Sequence, residues 1–516
     1  MKNLPVFDLG IILVYLLGMV LVGIYFSRRN RTTEEFTRAA GRIPGWAIGI
    51  SIYATFLSSN TFLGVPGKAY GGNWNAFVFS LSMPLAAWLA TKYFVPFYRS
   101  TGEVSAYTNL EKRFGTWART YAVVCFLLTQ LARIGSIFFG ISLTLQALTG
   151  YSMVIIMIVT GICIVVYTVL GGIEAVIWTE VAQGILKTAG TLVIIYLIVR
   201  EVPGGFHDIL TKGAADNKFS LGTMEFDFVS SSFWVVLLYG FFINLNNFGM
   251  DQNYVQRYHT AANSKEANKS VWLCVWIYVP VSFLFFVIGT CLYTYYQQHP
   301  ELLETIKLQA ASEQLGLALN RPEVSQLAAS MKPADYGDKI MPHFMVYMIP
   351  TGLLGLIVSA ILSAAMSTIS SGMNASATVF TEDIYKRYFN DSSSDKNSLK
   401  VLYGATVVVG LIGMLCGIAM IGIKSLLDVW WTLSGIFAGG MLGLFLLGLI
   451  SKKVKNNDAL IGTIVGICVI LWMTFSYLIP EKYAFLRNPL HANMIIVVGT
   501  LSIFLVGNLS RKLRRT

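Results

Sequence analysis

The chain has 516 residues, 55% of them hydrophobic and 13% charged, with a mean hydropathy of +0.62. Soluble domains carry about 25% charged residues, so a soluble globular or disordered protein is excluded and a polytopic helical membrane protein is indicated. The formal net charge of +11 does not point to nucleic acid, because the basic residues lie beside apolar runs, where they act as topological signals.

The first residues, MKNLPVF, run straight into the apolar stretch Asp8–Phe26. No small-residue cleavage site follows, so the stretch reads as an uncleaved leading span at 7–26. In all, about thirteen spans of bilayer length are expected. After the leading span they fall near 45–71, 75–97, 117–147, 152–170 and 176–199. A polar loop precedes 232–253 and 271–296. The polar stretch 297–342 holds two weakly amphipathic pieces. The last spans lie near 346–380, 400–422, 426–450, 459–479 and 491–509.

Basic residues mark alternate connections: Arg28, Arg29, Arg31, Arg38 and Arg42; Lys112, Arg113 and Arg119; Arg257, Lys265 and Lys269; Lys386, Arg387 and Lys396; Lys452, Lys453 and Lys455; Arg511, Lys512, Arg514 and Arg515. The positive-inside rule makes their side cytoplasmic, with the N-terminus outside and the C-terminus inside. That orientation requires an odd number of spans, so it agrees with the count.

The second span carries the strongest functional signal. In GISIYATFLSSNTFLGVPGKAY (49–70), Thr55, Ser58, Ser59, Asn60 and Thr61 occupy the centre, and Gly64, Pro66 and Gly67 follow. A span unwinds in hydrocarbon only where the freed backbone groups meet protein, water or an ion. Broken helices at mid-membrane hold substrate and ions in secondary transporters. The plain alternative is an unbroken span whose hydroxyls bond its own carbonyls.

The ten spans from this one onward divide into two sets of five, and an odd set reverses the direction of its partner. An inverted repeat predicts a second interruption in the sixth core span, LLYGFFINLNNFGMDQNYVQRY. Asn244, Asn246, Asn247, Gly249 and Asp251 fall there. The alternative is an early helix exit near Asn246.

Ala364, Ser367, Thr368 and Ser371 of the eighth core span are spaced i, i+3, i+4, i+7 and share one helix face. Such a face also serves plain helix packing. Together with two carbonyls of the broken span, one from Ala364 and the hydroxyls of Ser367 and Thr368 would make a five-oxygen site, which suits a hard cation such as sodium.

Arg133 is the one charge deep in the third core span, YAVVCFLLTQLARIGSIFFG. Its fork suits a carboxylate of a substrate. A structural pairing with an internal acid is the alternative, and Glu180 in GGIEAVIWTEVAQG is the expected acid, unless it serves an ion path. Trp430 and Trp431 are interfacial anchors or aromatic walls of a sugar site. The six cysteines have no metal-ligand spacing and the five histidines are scattered, so disulfides, zinc and metalloenzyme chemistry are not expected.

The segments AAGRIPGW (39–46), ATFLSSNTFLGVPGKAY (54–70), GGIEAVIWTEVAQG (171–184), DQNYVQRY (251–258) and SAAMSTISS (363–371) resemble the sodium/solute symporter family across nearly the whole chain, most of all its bacterial sialic acid branch. The resemblance implies an all-α membrane protein with a five-plus-five inverted repeat (LeuT-like), one leading helix and two trailing helices. One transporter domain would cover 1–516, with the leading helix at 7–26, repeats near 45–199 and 232–450, and trailing helices near 459–509.

The resemblance also implies a common sodium site at the backbone of Ala54 and Leu57, Ala364, and the side chains of Ser367 and Thr368. In some members an Asp, here Glu180, joins a second sodium site with hydroxyls matching Ser367, Ser370 and Ser371. The sialic acid pocket maps to Ser58, Thr61 and Arg133. Phe56 replaces a pocket Thr, and Ser80 stands where a Gln is expected. Asn60, Asn244, Asn247 and Trp431 complete the candidate substrate set.

The expected activity is sodium-driven symport of an anionic sugar such as a sialic acid. A neutral sugar or a monocarboxylate is the alternative within the fold. No enzymatic step is expected. The expected setting is a bacterial cytoplasmic membrane, with a single chain, a small solute, sodium and lipid as partners and no nucleic acid. A channel would show a polar stripe along a full pore, and a sensor would carry a signalling domain. Neither pattern is visible.

Overall fold

The computed structural model describes residues 5–27, 32–390, 393–423 and 425–514. Arg28, Arg29, Arg31 and Arg515, used above to orient the spans, lie outside them. The described chain is helical, with one isolated bridge between Ile43 and Ala261.

The long elements are α1 (Val6–Ser27), the pair α2 (Gly45–Phe56) and α3 (Ser59–Gly71), α4 (Trp74–Thr101), α5 (Thr116–Thr149), α6 (Met153–Val169) and α7 (Gly171–Glu201). Then come α8 (Phe233–Met250), α9 (Gln252–Thr260), α10 (Ser264–Gln298), α11 (Pro333–Met348), α12 (Leu353–Phe389), α13 (Asp395–Ala419), α14 (Leu426–Ile450), α15 (Asn456–Leu478) and α16 (Met494–Leu513). Among the described residues, 11 helices are long and apolar enough to span a bilayer, and 12 if α2 and α3 count as one broken span. The remaining expected span, 152–170, is α6, which is shorter. It is set off from α7 by a kink at Gly172, the second residue of α7, whose φ of 58° is open to glycine.

The break in the second span is real. Leu57 and Ser58 leave the helix at ψ 91° and 176°, and α3 is bent from α2 by 55°. Beyond the break, α3 lies backbone to backbone against α11. A Cβ on Gly67 would come within 2.8 Å of the Gly337 carbonyl carbon, and one on Gly337 within 2.8 Å of Gly67 O, so only glycines permit the approach.

The sixth core span is also interrupted, but later than its asparagines predict. α8 stays helical through Asn244, Asn246 and Asn247 to Met250. The chain extends only at Asp251 (φ −75°, ψ 117°), which accepts a hydrogen bond from the Asn253 amide and starts α9. Neither an early exit at Asn246 nor a break among the carboxamides occurs. The helix survives because Asn244 finds partners outside it, at Phe79 O and Ser82 Oγ.

The eighth core span begins at Leu353 and not near 346. Residues 346–348 finish α11, and Gly352 (φ 91°) separates the two helices. The polar stretch before it holds the helices Pro300–Leu315 and Pro322–Ser330, as its two amphipathic pieces predict. α12 is enclosed by its neighbours, with every residue from Ile357 to Val379 buried. Its hydroxyl face meets the end of α2, and that junction holds the site.

Candidate functional site

Unwinding at Leu57 and Ser58 leaves the last carbonyls of α2 without helical donors. They find partners from three directions. Thr368 Oγ1 lies 3.2 Å from both Thr55 O and Ala364 O, and Ser367 Oγ lies 3.2 Å from Ala54 O and from Ala364 O. The five residues expected at the common cation site therefore come together.

A side chain that the sequence reading passed over stands among them. Lys187 of α7, fully buried, donates to Ala54 O at 2.7 Å, Leu57 O at 3.0 Å and Ser367 Oγ at 2.6 Å. The available signal was a single lysine in the otherwise apolar run 181–199, and a charge inside a span is a functional candidate by default.

The second expected ion site is likewise built around a cation. Glu180 accepts hydrogen bonds from Ser51, Ser371 and Thr55 (the last at 3.2 Å). Arg257 Nη2 lies 2.8 Å from its Oε2. The same guanidinium reaches Ser51 Oγ at 2.8 Å, Thr55 Oγ1 at 3.0 Å, Ser371 Oγ at 2.6 Å and the Asn253 carbonyl. Two expectations are corrected here. Arg257 is no loop charge marking the cytoplasmic side, since it is 1% exposed. Glu180 pairs with Arg257 and not with Arg133. Ser370 also stands apart, donating to Ser367 O of its own helix at 3.1 Å.

Arg133 also reaches the carbonyl end of α2. Its Nη2 donates to Thr55 O at 2.9 Å and lies 3.4 Å from Tyr254 Oη, and its Nη1 is 3.9 Å from Asp251 Oδ2. The acid facing Arg133 is thus Asp251, at the second helix break. Gln130 also donates to that carboxylate, at 3.2 Å. The guanidinium lies 5.7 Å from the Trp430 ring centroid.

Between the two breaks lies a cavity of about 80 Å³. Phe56, Ser58, Asn60, Thr61, Ser80, Arg133, Asn247 and Trp431 all line it, so eight of the nine expected substrate residues converge. Asn244 does not, because its amide is spent on α4. Phe56 stacks on Tyr254 at 4.7 Å and makes the apolar wall. Ser80 is bonded to Ser282 at 2.7 Å, and Asn60 donates to Ser136 Oγ at 2.9 Å. Trp430 and Trp431 line the cavity as well, as walls and not as lipid-facing anchors.

The central cavity is below the ~300–1,000 Å³ usual for ligand sites. A wider vestibule of about 540 Å³ opens at the C-terminal end of α3, lined by Lys68, Asn73, Asp338, Asp428 and His491 among others. Trp431 lines both spaces. It stacks on Phe79 at 5.6 Å, and its carbonyl accepts from Tyr239 Oη at 3.0 Å. Trp431 and Ala76 thus form a wall that the vestibule shares with the cavity holding Arg133. At the vestibule, Lys68 bridges to Asp428 at 2.7 Å. Asp338, outside the spans, accepts from Leu426 N at 2.8 Å, and burial pushes its carboxyl up to about 6.

Residues 36–466 match the profile of the Sodium:solute symporter family. The chain is 32% identical to the sodium/sialic acid symporter of Proteus mirabilis over 493 residues, covering 95% of this chain and 93% of that one. It is 31% identical to the sodium/sialic acid symporter of Aliivibrio fischeri over 505 residues, covering 96% and 91%. A solved Na+-coupled sialic acid symporter in a substrate-bound outward-open state superposes with a TM-score of 0.84 at 31% identity, covering 98% of each chain. A nucleobase-cation-symport-1 transporter shares the fold at 13% identity and a TM-score of 0.54, covering 92% and 93%.

Proposed function

Because the chain belongs to the Sodium:solute symporter family, we propose that it is a sodium-coupled symporter that carries a small anionic solute, a sialic acid or a similar acidic sugar, by alternating access. The observation that carries the solute class is Arg133 in the wall of the central cavity, opposite the start of α3. Helix N-termini favour negative charge, and Ser58 and Thr61 sit at this one. A carboxylate there meets the guanidinium on one side and the hydroxyls on the other. Phe56, Trp430 and Trp431 would flank the apolar face of a sugar ring.

The cavity in this conformation is small, so binding such a solute requires Trp431 and its neighbours to give way toward the vestibule. Rocking one helix bundle against the other would then open the opposite side. Two inverted repeats, near 45–199 and 232–450, supply those bundles within a single domain. The protein works as a single chain in a bacterial cytoplasmic membrane, with the vestibule and N-terminus outside and the C-terminus inside.

Uptake into proteoliposomes under an inward sodium gradient tests this reading. Acidic sugars are expected to compete and their methyl esters are not. Arg133→Lys loses most affinity because a forked contact becomes a single one. Equal competition by a neutral hexose, or full uptake by Arg133→Ala, would end the carboxylate assignment. Competition confined to short monocarboxylates would move the solute to that class, which the small cavity also accommodates.

A further inference from the structure

The oxygens at the end of α2 already hold a cation. Lys187 Nζ has three N–H groups and three acceptors, at 2.7, 3.0 and 2.6 Å. Ala54 O and Leu57 O are carbonyls and can only accept, so the nitrogen is the donor to both. The Ser367 hydroxyl has its own acceptors within 3.2 Å, at Ala54 O and Ala364 O, so it receives the third N–H. This arrangement satisfies all three donors of an ammonium. It leaves Ala364 O and Thr368 Oγ1 on the far side of the cluster, bonded to each other.

These are the atoms through which a sodium ion would be held. A sodium ion and an ammonium cannot share three ligands, since two positive charges at that spacing repel strongly in a low-dielectric interior. We infer that Lys187 is a tethered cation that occupies the common sodium site, so that sodium binds there only when the Lys187 side chain has withdrawn. This rests on the reading of the chain as a sodium-coupled symporter, and it adds a built-in competitor to that reading. The second ion position repeats the pattern independently, because the oxygens of Glu180, Ser51, Thr55 and Ser371 converge on the Arg257 guanidinium.

Glu180 lies on the same helix as Lys187 but is held by Arg257. α12 brings no titratable side chain between Leu353 and Val379. Arg133 bonds Thr55 O, next to the Lys187 acceptor Ala54 O, and adds a second positive charge at the same helix end. The ammonium is held by carbonyl and hydroxyl dipoles and the C-terminal end of α2, and the Glu180 carboxylate acts on it only through space, without a direct bond.

The test is thermal unfolding of purified protein in sodium chloride against choline chloride, at one pH and constant ionic strength. Wild type is compared with Lys187→Met and Lys187→Gln, which keep all but one heavy atom of the side chain's length and drop its charge. Apparent affinity scales with the fraction of molecules whose site is open, so removing a lysine that fills nine cages in ten lowers the sodium midpoint about tenfold. Either variant showing that shift, abolished again by adding Thr368→Ala, supports the inference. A wild type with no sodium response, beside a variant that gains one, also supports it, and then the sodium-coupling reading fails for the native chain. A midpoint unchanged or weakened in both variants overturns the inference while leaving sodium coupling intact. No sodium response in any of the three proteins overturns both.

Discussion

Replacing Arg257 with Met leaves Glu180 buried and without its ion-pair partner. Arg257 is 1% exposed and Glu180 0%. The guanidinium bonds side chains on α2, α7 and α12, so its removal breaks a network as well as a pair. Breaking a buried ion pair from one side costs about 3–5 kcal/mol. An unfolding entropy of ~2.1 cal/mol/K per residue over 516 residues turns that loss into a melting-temperature drop of roughly 3–5 °C. Replacing both partners removes the charge imbalance, so Glu180→Gln with Arg257→Met is expected to recover much of the loss. The assay is the full double-mutant cycle by fluorescence-detected unfolding in detergent, with expression in the membrane followed in parallel. If the double variant loses the sum of the single losses to within ~0.5 kcal/mol, the two side chains are not coupled and the network reasoning is wrong.

Trp431→Ala should open the central cavity into the vestibule. A buried aromatic at a binding site is worth about 2 kcal/mol or more, a rise of roughly 30-fold in solute Kd, while Trp431→Phe keeps most affinity. An unchanged Kd would return Trp431 to a packing role. Asn244→Ala should cost about 1–3 kcal/mol of stability through its two lost partners on α4 and leave solute affinity alone, whereas Asn247→Ala should do the reverse. Asp338 gives a pH test. Its native carboxyl holds a proton more tightly than the unfolded one, with a value of about 6 against 3.8. Its ionisation therefore penalises the fold increasingly between about 3.8 and 6, by a constant amount above that and not below the unfolded value. Asp338→Asn should stabilise by at most about 3 kcal/mol above about pH 6 and by nothing near pH ~3, and a pH-independent difference would contradict it.

The α-helical class, the broken second span and the shared face of Ala364, Ser367 and Thr368 were legible because each rests on local composition or spacing, whereas Ala54 and Leu57 were named through the family resemblance. Polar residues and Gly/Pro interrupt an apolar run, and a helix face follows from spacing. The second break falls at Asp251, the last of the residues that marked it, and not among the asparagines before it. Whether a mid-helix asparagine breaks its helix depends on partners elsewhere, and Asn244 finds them on α4, distant in sequence. The pairing of charges was least legible for the same reason. Arg257 stands at the polar edge of a span, where it looks like a loop residue, yet the short α9 carries it back against Glu180. Lys187 sits in an apolar segment whose mean character hides one ammonium. Eight of nine candidate substrate residues, several of them named through the resemblance, converge on one cavity because they lie on the two interrupted spans or the helices facing them.

The break itself explains why the charges are arranged as they are. Cutting a helix at Leu57 and Ser58 creates two ends of opposite partial charge within a few residues. The carbonyl end, at Ala54, Thr55 and Leu57, carries Lys187 and Arg133. The amide end, beginning at Ser59, faces the cavity with Ser58 and Thr61. Cations thus sit where the helix ends negative and the solute space opens where the next helix begins positive. Arg133 adds its own charge to the solute side, so an anion gains from both. Lys187 reaches no such space, because all three of its donors face the carbonyl end. On the proposed reading the two basic residues divide the work of one break: Arg133 would turn positive potential toward the solute, and Lys187 would hold the unwound carbonyls until another cation takes its place.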